Sequence, residues 1–286
     1  MRYEAPQTVD QAISLLAGAE GNPRVLAGGT DLLVQLRAGF IDPELIVDIK
    51  QIDETTAIIA EDGGFRVGAA VSGARLKEHD TLSLLWPGVV EAADLIGSTQ
   101  IQGRASMGGN LCNASPAADT VPALIAAGAT CALAGPSGRR EVPVEEICTG
   151  PGQTILTDGE LVVSILLPAR GSRSGDAYLR FIPRTEMDIA VVGVGVSLSL
   201  GADGQCSAAR VAVGAVAPTV LLVPAAAEVL IGGTVDDAAI DAMAAAVRAV
   251  CRPIDDKRGT VAYRIEVAGV LAGRACRIAL ERAGSA

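Results

Sequence analysis

Two glycine-bearing stretches carry the chemistry most legible in this chain. They are Leu26-Ala27-Gly28-Gly29-Thr30-Asp31-Leu32 and the longer run from Ala105 to Asp119, Ala105-Ser106-Met107-Gly108-Gly109-Asn110-Leu111-Cys112-Asn113-Ala114-Ser115-Pro116-Ala117-Ala118-Asp119. Each sets a Gly-Gly pair beside small polar side chains, with apolar residues outside. Paired glycines let a backbone take φ > 0 and come close to a ligand, and their N–H groups can face an anion. The hydroxyls of Thr30 and Ser106 can donate to phosphate oxygens without adding charge. Two such stretches in one chain imply a diphosphate gripped from two sides, and so a dinucleotide. Asp31 would repel a phosphate through its carboxylate, so it contributes its amide or orients the loop.

Other chemistry is excluded by what the residues do not form. No Lys-Ser or Lys-Thr follows a glycine-rich run, and no Gly-x-Gly-x-x-Gly opens an N-terminal helix. Gly193-Val194-Gly195 lies within an alternating pattern and reads as close strand packing. Gly63-Gly64 and Gly232-Gly233 read as turns. The cysteines at 112, 131, 148, 206, 251 and 276 form no Cys-x-x-Cys pair, and their spacing fits neither zinc nor an iron–sulfur cluster. His79 is the only histidine, in an exposed Glu78-His79-Asp80 turn, and one imidazole makes neither a His-based metal site nor a relay. Neither Ser98 nor Ser115 has a histidine to activate it. No catalytic group and no metal site are therefore expected within this chain.

Composition narrows the setting. A net charge of −10 without a basic cluster disfavours a nucleic-acid partner. Residues Met1 to Pro6 lack the apolar core of a signal peptide, and no apolar tract reaches the roughly 20 residues of a membrane span. A cytoplasmic protein is the expectation. Half the residues are apolar but only 2% are aromatic, so Ala, Val, Leu and Ile must do most of the packing.

The elements that must position the two stretches follow from periodicity and caps. Thr8 to Leu16 reads as a helix capped by Thr8, with Gln11 three residues on. A strand from Arg24 to Ala27 runs into the first stretch, a helix covers Leu32 to Ala38, and a buried strand covers Leu45 to Ile49. That order places the first stretch at a strand's carboxyl end, where α/β folds bind ligands. Strands follow at Ala57 to Ala60 and Phe65 to Ala69, then helices at Ala74 to Lys77 and Val89 to Ile96. Beyond the second stretch come a short buried helix, Thr120 to Ala127, and strands at Thr130 to Leu133, Arg140 to Pro143 and Leu161 to Leu167. Ala169 to Asp176 reads as a linker. Antiparallel strands are expected at Val191 to Leu200 and Ala208 to Val216, and helices at Ala225 to Leu230, Asp236 to Val250 and Val261 to Arg282. Arginines 264, 274, 277 and 282 of the last helix read as a solvated face.

In this order and spacing, the two stretches resemble the FAD-binding medium subunit of the molybdenum hydroxylases, the family of carbon monoxide dehydrogenase, xanthine dehydrogenase and aldehyde oxidoreductase. The likeness extends through Gln100-Ile101-Gln102-Gly103-Arg104 and through Arg180-Phe181-Ile182-Pro183-Arg184-Thr185-Glu186-Met187-Asp188-Ile189-Ala190, and so covers nearly the whole chain. It implies an α+β fold: a two-part FAD-binding domain of the vanillyl-alcohol-oxidase/PCMH type over residues 1–170, divided near 55, then a smaller C-terminal α+β domain with an antiparallel sheet over 176–286.

The same resemblance implies roles. Ala27, Gly28, Gly29, Thr30, Asp31 and Leu32 would hold the diphosphate of a non-covalent FAD. Ser106, Gly108, Gly109 and Asn110 would complete the grip, with Met107 adding main chain. Asp119 is either an acceptor for ribose or ribityl hydroxyls or the N-cap of the helix at Thr120. Ile96 either covers the cofactor or belongs to a helix core, and Val162 would pack on adenine. Arg180 falls near the flavin ring, where a cation stabilises reduced flavin, or else pairs with Glu186 or Asp188. Implied partners are a small subunit with two 2Fe–2S clusters and a large subunit with the molybdenum cofactor, as a dimer of heterotrimers. The implied activity is electron transfer to NAD, a quinone or oxygen. A self-sufficient FAD oxidoreductase of related fold, such as a UDP-sugar enolpyruvate reductase, is the competing expectation.

Overall fold

The computed structural model describes residues 1–285. Thr8 caps the first helix, Val9–Ala17, by accepting from the Gln11 amide, and its apolar stripe of Val9, Ala12 and Leu16 is buried. That stripe covers a small parallel sheet in which Leu45–Asp48 runs between Arg2–Glu4 and Arg24–Leu26. A central strand covered on both faces should be apolar throughout, and Leu45, Ile46 and Val47 are all buried.

An antiparallel five-stranded sheet follows, in the order Ile58–Glu61, Gly64–Gly68, Leu161–Leu167, Thr130–Gly135, Gly138–Pro143. Its central strand shifts register between Val162 and Ser164, which changes the face that later residues address. Leu161 and Val163 pack with the first sheet, whereas Val162, Ile165 and Leu167 pack beneath the helices between residues 73 and 126. The unbroken apolar run of this strand is explained by those two covered faces. The helix Thr120–Ala126 is buried at every residue.

The C-terminal part is an antiparallel sheet of Ser174–Phe181, Val192–Leu200, Cys206–Gly214 and Leu221–Leu222. The helices Asp237–Val250 and Val261–Ser285 pack with it in an Ala- and Val-rich core. Small side chains permit this closeness: a Cβ on Gly175 would stand 2.0 Å from the carbonyl oxygen of Ala279 in the last helix. Cys131, Cys206, Cys251 and Cys276 are buried free thiols.

Two expectations need correction. The 169–176 segment is not a slack linker: a strand begins at Ser174, and Arg170 pairs with Asp176 at 2.7 Å, side chains 8% and 5% exposed. The Arg170 guanidinium also lies 4.3 Å over the Trp86 ring, adding a cation–π contact. Nor do the four arginines of the last helix form one solvated face. Arg274 and Arg277 are exposed. Arg264 is buried, donating to the Val191 carbonyl at 2.8 Å and to Asp256 at 2.7 Å, while Arg282 pairs with Glu91 across the two parts of the chain. A helical wheel cannot see those acceptors, because they belong to other elements.

Candidate functional site

The strand Arg24–Leu26 ends at the first glycine stretch, beside the parallel strand Leu45–Asp48. Gly29 takes φ +80°, a conformation that a side chain would strain. Gly28 is needed for a different reason. A Cβ there would stand 2.0 Å from the Arg104 carbonyl oxygen, so the two stretches touch backbone to backbone. The N–H groups of Gly28, Gly29 and Thr30 donate to no protein acceptor among the described residues. Asp31 makes no cap bond to the helix Leu32–Arg37, and burial pushes its carboxyl up.

The second stretch opens a helix, Met107–Cys112, whose N-cap Ser106 accepts from the Gly109 amide at 3.1 Å. The expectation that this pair takes φ > 0 is thereby corrected: Gly29 does so, whereas Gly108 and Gly109 are helical. Gly108 is required by packing, since a Cβ would stand 2.5 Å from the Ala69 carbonyl oxygen. Around Gly109 the nearest group is the Ser106 hydroxyl, 3.2 Å from such a Cβ, so that position is far less crowded.

Between the stretches lies a cavity of about 1170 Å³, counting its open mouth. Ala27, Gly28, Gly29, Thr30, Asp31 and Leu32 line one side. Ser106, Gly108, Gly109 and Asn110 line it from the second stretch, and Ile96 and Val162 also reach it. Met107 instead turns its side chain into the core beneath, 2% exposed. Asp119 and Arg180 are not among the lining residues.

Asp119 does not fill the N-cap role. Its carboxylate makes no cap bond; it accepts from Arg180 Nη1 at 3.0 Å and Tyr178 OH at 3.2 Å. Burial pushes this carboxyl up, opposed by the Arg180 charge and the two hydrogen bonds. The helix start is held by Asn110 instead, whose Oδ1 accepts from the Thr120 amide at 3.0 Å and the Thr120 hydroxyl at 2.7 Å. Arg180 pairs with Asp119 and with neither Glu186 nor Asp188; the latter binds Arg184 and Arg258. His79 is half-buried rather than exposed and caps the helix Asp80–Leu85 through Nδ1.

Three supporting residues escaped the sequence reading. Tyr3 OH donates to Asp48 Oδ2 at 2.6 Å, and Lys50 Nζ donates to Asp48 Oδ1 at 2.7 Å and to the Ala27 carbonyl at 2.9 Å. This chain of contacts fixes the point where the first stretch leaves its strand. The one visible signal was an acid, Asp48, closing an otherwise apolar strand. A further link was not foreseen: the Gln35 and Asn113 side chains join the helix Leu32–Arg37 to the end of the helix within the second stretch, Nε2 to Oδ1 at 3.2 Å. Burial pushes the Asp48 carboxyl up, but its bonds from Lys50 and Tyr3 outweigh that and hold it below the usual carboxylate range.

Lys50→Met is expected to weaken retention of the bound ligand about tenfold, the scale of one charge-assisted hydrogen bond, as read by equilibrium titration. A lowered carboxylate contributes stability above its unfolded pKa of about 3.9, lost as pH falls through the folded value. Acid titration of Asp48→Asn should therefore flatten part of the stability loss below about pH 4. An unchanged acid limb would show that Asp48 does not supply it.

The fold and its glycine-lined cleft define a dinucleotide-binding protein of mixed α and β structure. Residues 1–170 match the family described as the FAD binding domain in molybdopterin dehydrogenase, and the chain belongs to that family. Residues 177–279 match the CO dehydrogenase flavoprotein C-terminal domain. The carbon monoxide dehydrogenase medium chain of Hydrogenophaga pseudoflava is 32% identical over 280 residues, covering 98% of this chain and 97% of the relative. The xanthine dehydrogenase FAD-binding subunit of Escherichia coli O157:H7 is 35% identical over 221 residues, 76% of this chain and 74% of the relative. Among solved structures, the Hydrogenophaga pseudoflava carbon monoxide dehydrogenase that lacks the Mo-pyranopterin moiety superposes with a TM-score of 0.93. That match has 33% identity and covers 99% of this chain and 98% of the other.

Proposed function

We propose that this chain is the FAD-carrying electron-transfer subunit of a molybdenum-containing hydroxylase or dehydrogenase. The observation that carries the reading is the cleft itself, where two glycine stretches meet backbone to backbone and residues with unpaired amide donors line a cavity. The residues fit a diphosphate: N–H groups of Gly28, Gly29 and Thr30 supply fixed dipoles, the Thr30 and Ser106 hydroxyls add neutral donors, and Asn110 is held in place by Thr120. Val162 offers an apolar wall for adenine, and Ile96 covers the cofactor. When bound, FAD supplies a carrier that accepts electrons singly and releases them singly or in pairs.

In this reading the substrate is oxidised on a large molybdenum-cofactor subunit. Electrons arrive from 2Fe–2S clusters on a small subunit and leave to an acceptor such as NAD, a quinone or oxygen. The assembly is a cytoplasmic dimer of heterotrimers. The cavity lining supports this division of labour. Its carboxylates are Asp31 and Glu160; Glu160 is held by Arg140 at 2.9 Å, and no histidine, tyrosine or lysine stands among the lining residues to exchange a proton with Asp31.

Purification with its neighbouring chains is expected to yield one complex holding FAD, iron–sulfur clusters and molybdenum. The chain alone should be reduced by dithionite, yet oxidise no substrate until both partners are added. Substrate turnover by the single chain at the rate of the full complex would overturn this function and favour an autonomous oxidoreductase.

A further inference from the structure

Of the cations near the two stretches, Lys50 is committed to Asp48 and the Ala27 carbonyl, Arg140 to Glu160 and Arg180 to Asp119, while Arg104 is exposed and does not line the cavity. Arg24 is different. It is the only Lys or Arg side chain that lines the cavity, and among the described residues it joins no ion pair. Its Nε is buried with no hydrogen-bond partner. An unsatisfied buried guanidinium N–H is costly, and the cost is relieved when a ligand brings an acceptor to it. The lining acid on the same wall, Glu160, does not serve. Its two oxygens bind Arg140 and the Thr157 amide.

Position narrows the acceptor. Arg24 opens the strand that ends at Leu26 and stands three residues before Ala27, about 10 Å back along the chain at roughly 3.3 Å per residue. On the cavity wall it is accompanied by Val25, Leu161 and Val162. We propose that Arg24 recognises the ADP half of the dinucleotide, donating from Nε and the guanidinium fork to its phosphate or ribose oxygens. Arg24 then supplies the single positive charge facing a dianionic diphosphate, which glycine amides hold through dipoles alone. It selects FAD over a flavin mononucleotide, because FMN presents no ADP half to it. This inference rests on the reading of the cavity as the FAD site.

The test uses the full chain stripped of flavin and titrated separately with FAD, ADP and FMN. Wild type is expected to bind FAD and ADP. Arg24→Met should weaken both by about 10- to 100-fold, the range of a charge-assisted hydrogen bond, and change FMN affinity by less than about twofold. Arg24→Lys should fall between, since it keeps the charge but loses the planar fork. Equal FAD and ADP affinity in wild type and Arg24→Met would overturn the role of Arg24 while leaving the cavity reading intact. Equal weakening of all three ligands would also overturn it, because the defect would then be one of folding. A wild-type chain that binds no FAD would sink the underlying site instead. Where Arg24→Met does not fold, Arg24→Lys decides: weaker ADP with unchanged FMN supports the proposal, and unchanged ADP overturns it.

Discussion

Gly28→Ala is expected to leave the protein without FAD and to lower its stability by about 3 kcal/mol, the upper end of overpacking costs. The added methyl would lie 2.0 Å from the Arg104 carbonyl oxygen, a backbone atom that no rotamer change can move aside. The two stretches must therefore separate, and the amide donors of the first no longer oppose those of the second. Gly108→Ala meets the Ala69 carbonyl at 2.5 Å and should behave similarly. Gly109→Ala is the informative contrast. Its nearest obstacle is the Ser106 hydroxyl at 3.2 Å, and in a helix the exchange of Gly for Ala gains up to about 1 kcal/mol. Gly109→Ala should keep or raise the melting temperature, whereas Gly109→Val, with more bulk on the cavity wall, should hold less flavin. Flavin content and thermal unfolding measured on the same samples separate the two effects. Normal FAD content and melting temperature in Gly28→Ala would contradict the backbone contact.

The contrast also marks what sequence can and cannot reveal. The glycine pairs were visible as ligand-binding stretches because their type and neighbours are local. The reason for each glycine was not, since it depends on Arg104 and Ala69, residues brought in by the fold. Nothing in the second stretch signals a helix, because glycines disfavour one. It is a helix start because Ser106 caps it, and packing against Ala69 overrides propensity.

Element positions were legible for similar reasons. Thr8 with Gln11, the run Leu161 to Leu167 and the alternating Val192–Leu200 carry their signals within a few residues, and each lies within a residue or two of its expected span. Side-chain partners across the chain carry no such signal. Lys50 reaching back to Ala27, Gln35 meeting Asn113, and Arg264 buried against Val191 and Asp256 are products of topology. Asp119 shows the limit most clearly. Its place before a helix advertised an N-cap, but Asn110 holds that helix start, and Asp119 is drawn to an arginine 61 positions away.

That pair supports the second large effect. Asp119→Ala should destabilise the protein by about 3–5 kcal/mol, because it strands a guanidinium whose side chain is 5% exposed. Arg180→Met leaves the carboxylate with Tyr178 OH as its remaining side-chain donor and should cost a comparable amount. The double variant Asp119→Leu with Arg180→Met removes both charges together, and buried ion pairs replaced by apolar side chains are often neutral. It should therefore be more stable than either single variant, and the coupling from the double-mutant cycle should exceed about 1 kcal/mol. Amide variants of the same two residues test the place beside the flavin ring that the family resemblance implies for this charge. The intact pair is neutral overall, so its two halves act with opposite sign. Asp119→Asn leaves a net positive charge and should raise the flavin midpoint potential, whereas Arg180→Gln leaves a net negative charge and should lower it. Shifts of the same sign, or none in either variant, would leave the pair a purely structural tie between the helix behind Asn110 and the C-terminal sheet.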